Sequence, residues 1–326
     1  MNTNFKKRFF LALCLGSMVS GVPAAVDNFP ERAVRIVVPY TPGGFNDTLA
    51  RVVGERLSKI WSQPVLVDNR PGGNTTIGNT YVAKSLPDGY NILISPLPFA
   101  ALPGLYGSQL PYNALKDFSP LVWAGSTQNV LTVRNDLPVN NVKELLDYAR
   151  KNPGKLNFGS TGSGSSNHLS MELLMRMTDT KMMHIPYKGS APAVMAILGG
   201  EIDVFFDNIP NVLPHLKAKK MKAIAVTGVE RSVLFPAIPT IAESGVPGYE
   251  VNVWFGMQLP AGTPKELIER MNRDIVSVLK DPDVVKRFRD QGVEVTASSP
   301  AAFGQLIQSE IVKWTQVIKD ANITIQ

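Results

Sequence analysis

Apolar positions along this chain fall into short runs, each followed by a longer helical stripe. Residues 34–38, Val-Arg-Ile-Val-Val, read as a buried strand. Pro39, Pro42, Gly43 and Gly44 break it, and Leu49, Val52, Val53 and Leu57 then share one helical face. Asn46 or Asp47 is placed to cap that helix. A strand, glycine loop and helix in that order aim backbone N–H groups and a positive helix end at whatever lies above them. A carboxylate suits such a place as well as a phosphate does. An ordinary strand-to-helix turn has the same outline, so the rest of the chain has to decide.

The unit recurs. Residues 64–68 predict a second strand and 69–76 a second glycine loop, leading into a helix through Ile77, Tyr81 and Val82. Residues 90–95 predict a third strand, with Pro96, Pro98 and Pro103 shaping a loop after it. Two strands, 121–124 and 130–133, flank Gly125-Ser-Thr-Gln-Asn129, and a helix over 142–150 stops at Pro153-Gly154. Residues 156–159 lead into a Gly/Ser loop, Ser160-Thr-Gly-Ser-Gly-Ser-Ser-Asn-His168, and then a helix on Leu169, Leu173, Leu174 and Met177. A short strand over 183–186 precedes Tyr187-Lys-Gly-Ser-Ala-Pro192, which opens a helix to Gly199-Gly200. Strands follow at 204–206, ending in Asp207-Asn208, and at 223–227. In the last third, 254–260 is strand-like, Thr263 is expected to cap a helix with Pro264 at its first position, and helices over 267–279, 282–291 and 300–321 are amphipathic. Alternating strands and helices predict a parallel sheet covered on both faces, with ligands at the strand C-terminal ends. The middle segment repeats the logic of the first, which predicts a second α/β domain.

Composition then adds an address. The chain has 326 residues, 44% hydrophobic and 18% charged, enough for one large core or two ordinary ones. Lys6, Lys7 and Arg8 precede a short apolar stretch, residues 9–19, and Val22-Pro-Ala-Ala25 offers the small residues a signal peptidase reads, with a cut after Ala24 or Ala25. Residues 1–25 are therefore expected to be a signal peptide. Removing them takes away three Lys/Arg and no Asp/Glu, so the formal net charge falls from +6 to +3. That mild value makes nucleic acid an unexpected partner. The one cysteine, Cys14, lies within the signal segment behind a bulky Leu13, which argues against a lipoprotein. A mature chain without cysteine and with a large core fits the bacterial periplasm. Later apolar runs are all interrupted by Pro, Gly or charge, so no membrane insertion is expected.

Chemistry is conspicuous mainly for what is missing. His168, His184 and His215 have no second ligand at zinc spacing. The loop over 159–166 lacks the Gly-Lys-Ser/Thr of a P-loop, and no G-x-S-x-G nucleophile elbow occurs. Ser163 or Ser165 with His168 is the one nucleophile–base pair that the spacing allows. A serine-rich loop is better suited to hydrogen-bonding an anion, and a histidine three residues into a helix is more often a packing residue. Several donor-rich loops without a catalytic set favour binding over turnover.

In order along the chain, these motifs resemble the Bug family of periplasmic receptors, the solute-binding proteins of tripartite tricarboxylate transporters. The resemblance rests on Ile36-Val-Val-Pro-Tyr-Thr-Pro-Gly-Gly44 with Asp47, Val67-Asp-Asn-Arg-Pro-Gly-Gly73, Val82-Ala-Lys-Ser-Leu-Pro-Asp-Gly-Tyr90, Leu110-Pro-Tyr-Asn113 with Asp117-Phe118, and the loop over 159–168. His184-Ile-Pro-Tyr-Lys-Gly-Ser-Ala-Pro192, Leu198-Gly-Gly200 with Asp203, Ala225-Val-Thr227, Pro239-Thr240 and Pro260-Ala-Gly-Thr-Pro264 complete it. Together they cover nearly the whole chain beyond residue 25.

The resemblance implies an α/β type II periplasmic-binding-protein fold, with two domains joined by two crossing strands and a ligand closed between them. Domain 1 would be 26–127 plus 229–326, and domain 2 would be 128–228. It implies a small carboxylate ligand, a di- or tricarboxylate or an aromatic acid, held by N–H groups and hydroxyls and passed to membrane transporter subunits by transient contact. No metal or cofactor is implied, and a monomer is expected. On the first-domain side the implied site is Tyr40, Gly43, Gly44, Phe45, Asn46, Asp47, Asn74, Thr75, Ser95 and Pro96. On the second-domain side it is Ser160, Thr161, Ser163, Gly164, Ser165, His168, Tyr187, Lys188 and Asp207.

Roles within that set are uneven. Gly43 and Gly44 fit close backbone approach, while Asp47 suits helix capping as well as ligand contact. Phe45 stands where the family varies and is expected to wall the pocket or to lie as a surface aromatic. Trp254 is read as core, Tyr187 as core or wall, and Lys188 as an anion partner or a solvated charge. The apolar stretch over 96–103 suggests a pocket for a bulkier acid. One departure is visible: relatives often carry Gly near Lys219, where this chain has Lys219-Lys220. Two other functions are carried alongside transport: a ligand sensor docking on a sensor kinase, and a Ser/His hydrolase.

Overall fold

One strand organises the fold. In the computed structural model, which describes residues 28–320 and 322–324, β4 (Phe118–Val133) runs unbroken for 16 residues. The expected signal peptide, residues 1–25, lies outside the described residues. The sequence predicts two strands here, split at Gly125-Ser-Thr-Gln-Asn129. The backbone stays extended through that stretch because it is paired: Gly125, Ser126, Thr127 and Gln128 lie opposite Phe255, Trp254, Val253 and Asn252. Ladder bonds outweigh the poor strand propensity of a Gly-Ser segment.

The elements preceding β4 are β1 (Val34–Val38), α1 (Phe45–Trp61), β2 (Val65–Asn69), α2 (Thr76–Ala83), β3 (Asn91–Pro96) and α3 (Pro98–Tyr106). After it come α4 (Val142–Lys151), β5 (Asn157–Ser160), α5 (Ser166–Thr178), β6 (Met183–Pro186), α6 (Ser190–Gly199), β7 (Val204–Asn208), α7 (Ile209–Lys217) and β8 (Lys222–Val226). The chain closes with β9 (Asn252–Pro260), α8 (Lys265–Leu279), α9 (Pro282–Arg289), β10 (Glu294–Val295) and α10 (Pro300–Asp320).

Sheet order is β2-β1-β3-β9-β4-β7-β5-β6, with β8 and β10 also on β4. The first part of β4 pairs with β9, and its last five residues pair with β7 and β8. The sheet thus has a first half on β1–β3 and β9 and a second half on β5–β8. The chain passes between them along β4 and returns between β8 and β9. Beside the first passage, the Thr227 N–H donates to Asn129 O and the Val251 N–H to Thr227 O. The expected parallel sheet holds within each half, where β1 joins β2 and β3, and β5 joins β6 and β7. It fails in the middle, where β9 and β4 run antiparallel to their neighbours, because those strands carry the chain across.

Three local expectations are corrected. The proline-rich stretch after β3 is a helix, α3. Pro98 occupies its start, where a missing N–H costs nothing, and Phe99, Ala100, Ala101 and Leu102 are all at most 1% exposed. Burial of that apolar face overrides Pro103, so most of this stretch is core and not a ligand-facing loop. Neither Asn46 nor Asp47 is the cap of α1; Gly44 holds that position without a side-chain bond. At α8 the cap position is Pro264, and the Thr263 hydroxyl donates back to Pro260 O. Lys219 stands at φ +54°, the left-handed geometry that favours glycine at a helix end.

A single apolar cluster runs through both halves and includes Ile36, Leu49, Phe99, Phe158, Phe255 and Trp314. A smaller one fills the space among α6, α7, β7 and β8. Trp254 belongs to the core as expected, with its indole N–H on Glu310.

Candidate functional site

The C-terminal ends of β1 and β5 feed two loops, each opening a helix, one jaw on each half of the sheet. In the first, Gly43 takes φ +97° and Gly44 leads into α1. Asp47, in the first turn of α1, reaches back to accept the Gly43 N–H at 3.2 Å. Arg51 Nε and Nη2 grip the same carboxylate at 2.9 Å each, and Asn69 Nδ2 donates to it at 3.0 Å. Burial alone would raise the Asp47 carboxyl, but these donors outweigh it and hold it below the usual range. Asp47 therefore faces its own loop. Phe45 is 3% exposed and packs on Phe255 and Phe288 at centroid distances of 4.7 and 5.3 Å. The expectation that it lies on the surface is corrected, since the ring is buried beneath the loop.

Next to this loop, Asn74 and Thr75 sit at φ +57° and +72°. A β-branched residue in that region is a true outlier, the kind of strain that a surrounding structure holds in place at functional sites. Thr75 Oγ1 accepts from Asn79 Nδ2, which also donates to the Tyr112 hydroxyl. Burial, with Tyr112 nearby, pushes the Tyr40 phenol well above its ordinary value. Ser95 is fully buried near the end of β3, and Pro96 closes that strand opposite Phe255.

The second jaw rests on a stack of rings. Phe158, His168 and His184 lie face to face, with the two imidazoles 4.2 Å apart. His184 Nε2 and Ser160 Oγ share a hydrogen bond at 2.6 Å, and Ser160 Oγ also accepts the Gly162 N–H. His168 Nδ1 accepts the Gly164 N–H at 3.0 Å. That fixes the neutral tautomer with its proton on Nε2, toward Glu172 Oε1 at 3.4 Å. Burial, then His168, pulls the His184 imidazole down to about 3. Ser165 caps α5 through the His168 backbone N–H, and the Thr161 hydroxyl donates to Asn167 Oδ1. Ser163 is buried on the same loop. Lys188 extends its side chain to the exterior, and the Tyr187 hydroxyl points to Glu201.

Asp207 is 1% exposed and lies behind this jaw. Its oxygens accept from Asn167 Nδ2, Asn211 Nδ2, the Asn208 N–H and the Ser190 hydroxyl. Burial pushes its carboxyl up to about 6 against those bonds. With every nearby donor supplied by protein, it supports the jaw from within and does not present itself to the cleft.

The jaws touch. Asn211 Oδ1 accepts the Phe45 N–H at 2.9 Å, and the Thr41 hydroxyl donates to Lys188 O at 3.2 Å. Gly162 and Gly164 bring their backbones against Asn74 and Leu105; added β-carbons would lie 2.7 and 2.3 Å from those side chains. The structure thus brings together the first-jaw loop, Asn74, the loop over 160–165 and the Tyr187–Lys188 turn, all named from sequence. Lys188 is exposed, the Phe45 ring packs on Phe255 and Phe288, and Asp207 is bonded within its own half. Sequence reading missed Asn211 and His184. It also missed Thr80 and Gln258, whose Oγ1 and Nε2, like Asn46 Oδ1 and Ser95 Oγ, are buried without a protein partner. Thr80, Ser95 and Gln258 stand on α2, β3 and β9, which pack together. A lone Thr or Gln inside an apolar run carries no pattern, so no sequence signal marked them.

A hydrolytic pair does not assemble. His168 meets Ser165 only through its backbone, with both ring nitrogens directed elsewhere. The Ser–His contact that does form, Ser160–His184, is buried, and His184 Nδ1 has no partner to orient it. Among the described residues no helix is long and apolar enough to cross a membrane.

Comparison with known proteins agrees with this architecture. Residues 49–323 match the model of the tripartite tricarboxylate transporter family receptor. The solved structure of R. palustris Rpa4515 with adipate is 36% identical, covers 91% of this chain and all of its own, and superposes with a TM-score of 0.88. The periplasmic binding protein BugD is 34% identical over 91% of this chain and all of its own, with a TM-score of 0.87. MatC from Rhodopseudomonas palustris with bound malate is 32% identical over 89% of this chain and all of its own, with a TM-score of 0.85. The fold is that of type II periplasmic binding proteins, and the chain belongs to the tripartite tricarboxylate transporter receptor family.

Proposed function

We propose that this chain is a periplasmic receptor that closes two domains, 26–127 with 229–326 and 128–228, around a small organic carboxylate. It then delivers that acid to a tripartite tricarboxylate-type membrane transporter. It acts as a monomer without cofactor, catalysis or nucleic acid. The observation that carries the reading is the contact of the two halves at helix-opening loops: the α1 loop meets Lys188 O and Asn211, and the α5 loop meets Asn74 and Leu105. Helix starts favour an anion between them. The buried, partnerless polar atoms of Asn46 and Ser95 add hydrogen-bonding capacity on the first side. Relatives solved with adipate and with malate support a dicarboxylate as the ligand class. Bonds to a charged group contribute about 1.5–3 kcal/mol each, so a few suffice for roughly micromolar binding after ordering costs.

The test is native mass spectrometry of the gently purified mature protein, with a thermal-shift screen of di-, tri- and aromatic carboxylates beside it. A retained small acid, unchanged after prolonged incubation, or a shift of several degrees with one acid class is expected. No retained mass and no shift with any carboxylate would overturn the ligand class, and conversion of the bound acid would overturn the receptor reading.

A further inference from the structure

Asn211 lies at the third position of α7, outside every motif, yet it accepts a hydrogen bond from the first jaw at 2.9 Å, shorter than the 3.2 Å bond from Thr41 to Lys188 O beside it. Its amide orientation is set from behind. Nδ2 donates to Asp207 Oδ1 at 3.0 Å, so Oδ1 must face forward, and there it accepts the Phe45 N–H at 2.9 Å. The opposite flip would set an NH2 against an N–H and leave the Asp207 carboxylate facing an oxygen. Asp207 is held in turn by Asn167, Ser190 and the Asn208 N–H, which come from α5, α6 and the β7–α7 junction. The acceptor for the first N–H of α1 is therefore a protein side chain from the other half, at a helix end that the sequence suggests as a place for a ligand anion. The Thr41–Lys188 bond and the close approach of Gly189 to Thr41 continue the same seam.

We propose that Asn211 is a closure residue, positioned by Asp207, whose bond to the α1 N-terminus holds the receptor shut whatever acid lies in the cleft. The inference rests on the reading that the two halves close around a ligand. Its consequence is quantitative. Apparent affinity is intrinsic affinity scaled by the closed fraction, so losing Asn211 weakens every ligand by one common factor. A residue that touches the ligand instead changes the ratio between ligands. One hydrogen bond of ordinary net worth corresponds to a common factor of about three to ten.

The chain from residue 26 onward contains no cysteine, so a Lys84→Cys/Met195→Cys pair, both exposed, can carry fluorophores on the two halves. Single-molecule energy transfer without ligand reads the closed fraction directly, and calorimetry with adipate and with malate reads the two affinities. Asn211→Ala is expected to lower the ligand-free closed fraction and to weaken both acids by the same three- to tenfold factor. Asn211→Asp keeps an acceptor for Phe45 but removes the donor to Asp207; it is expected to open the protein as well. An unchanged closed fraction in Asn211→Ala, or a malate-to-adipate ratio moved more than threefold, would overturn the proposal. An Asn211→Asp protein as closed as wild type would overturn the positioning role of Asp207. If neither acid binds, the carboxylate reading fails while energy transfer still decides the role of Asn211.

Discussion

The two jaws share one plan, a strand running through a glycine loop into a helix, but they are braced in opposite ways. The first, residues 39–47, is held by charge and by its neighbour. Asp47 with Arg51 and Asn69 grips it from behind, and Asn211 and Lys188 O meet it from across the cleft. The second, residues 160–168, is held from beneath by neutral rings, with Ser160 on His184 and Gly164 on His168. The first jaw thus takes hydrogen bonds from the other half, and the second takes its own from within its half. Under the proposed closure, only the first would gain its last hydrogen bonds when the halves meet.

The largest test of that contrast is steric. Gly189 has φ +148°, and an added β-carbon would lie 2.3 Å from Thr41 Oγ1 across the seam. Gly189→Val is expected to weaken binding of the acid that the proposed screen identifies by about 100-fold or more, as roughly 3 kcal/mol of clash and strain enters the proposed closed form. Calorimetry checks the affinity and small-angle scattering the opening. Affinity kept within threefold would mean that the jaws do not meet here when ligand is bound.

Asp207→Ala comes next, since it leaves several buried donors unanswered at once. It should cost about 3–5 kcal/mol of stability, a fall of roughly 10 °C in Tm. A fall under 3 °C would show that those donors find other partners.

A pH series separates the two braces. His184 is held down to about 3 by burial, against 6.5 when unfolded, so the unfolded chain binds more protons between those values and stability falls as pH drops. Asp207 is raised to about 6 from 3.8, so the folded chain binds more protons in that window; its contribution is lost as pH rises and recovered on acidification. The two effects oppose each other, at roughly 3 kcal/mol for His184 and about 2.5 kcal/mol for Asp207 near pH 4. His184→Phe keeps a ring in the stack and removes one of them. Its stability relative to wild type should improve by about 2–3 kcal/mol between pH 7 and 4.5 in urea unfolding. A constant difference would mean that His184 is not kept neutral.

The smallest effect concerns Phe45. As a core ring against Phe255 and Phe288, Phe45→Leu should cost about 1–1.5 kcal/mol and leave the order of preference among acids unchanged. A reordered preference would return this ring to the ligand wall.

The elements and the family were legible because they depend on local pattern. Strand runs, helix stripes and glycine breaks report which backbone can form, and a long ordered series of motifs is specific where each alone is weak. Prolines misled at α3, where burial of Phe99 to Leu102 decided the outcome. The break assumed at Gly125 vanished because β9 lies alongside to pair it.

By itself, then, the sequence determined that glycine loops open the helices α1 and α5, since chain breaks are local matters. Only the tertiary structure decided which N–H groups those loops keep. Asn211 meets Phe45 across 166 residues of chain, and His184 reaches Ser160 across 24. A hydrogen bond depends on where two atoms stop after the core has packed. No spacing along the chain encodes that, because neither residue carries a pattern until the strands beneath it are in register.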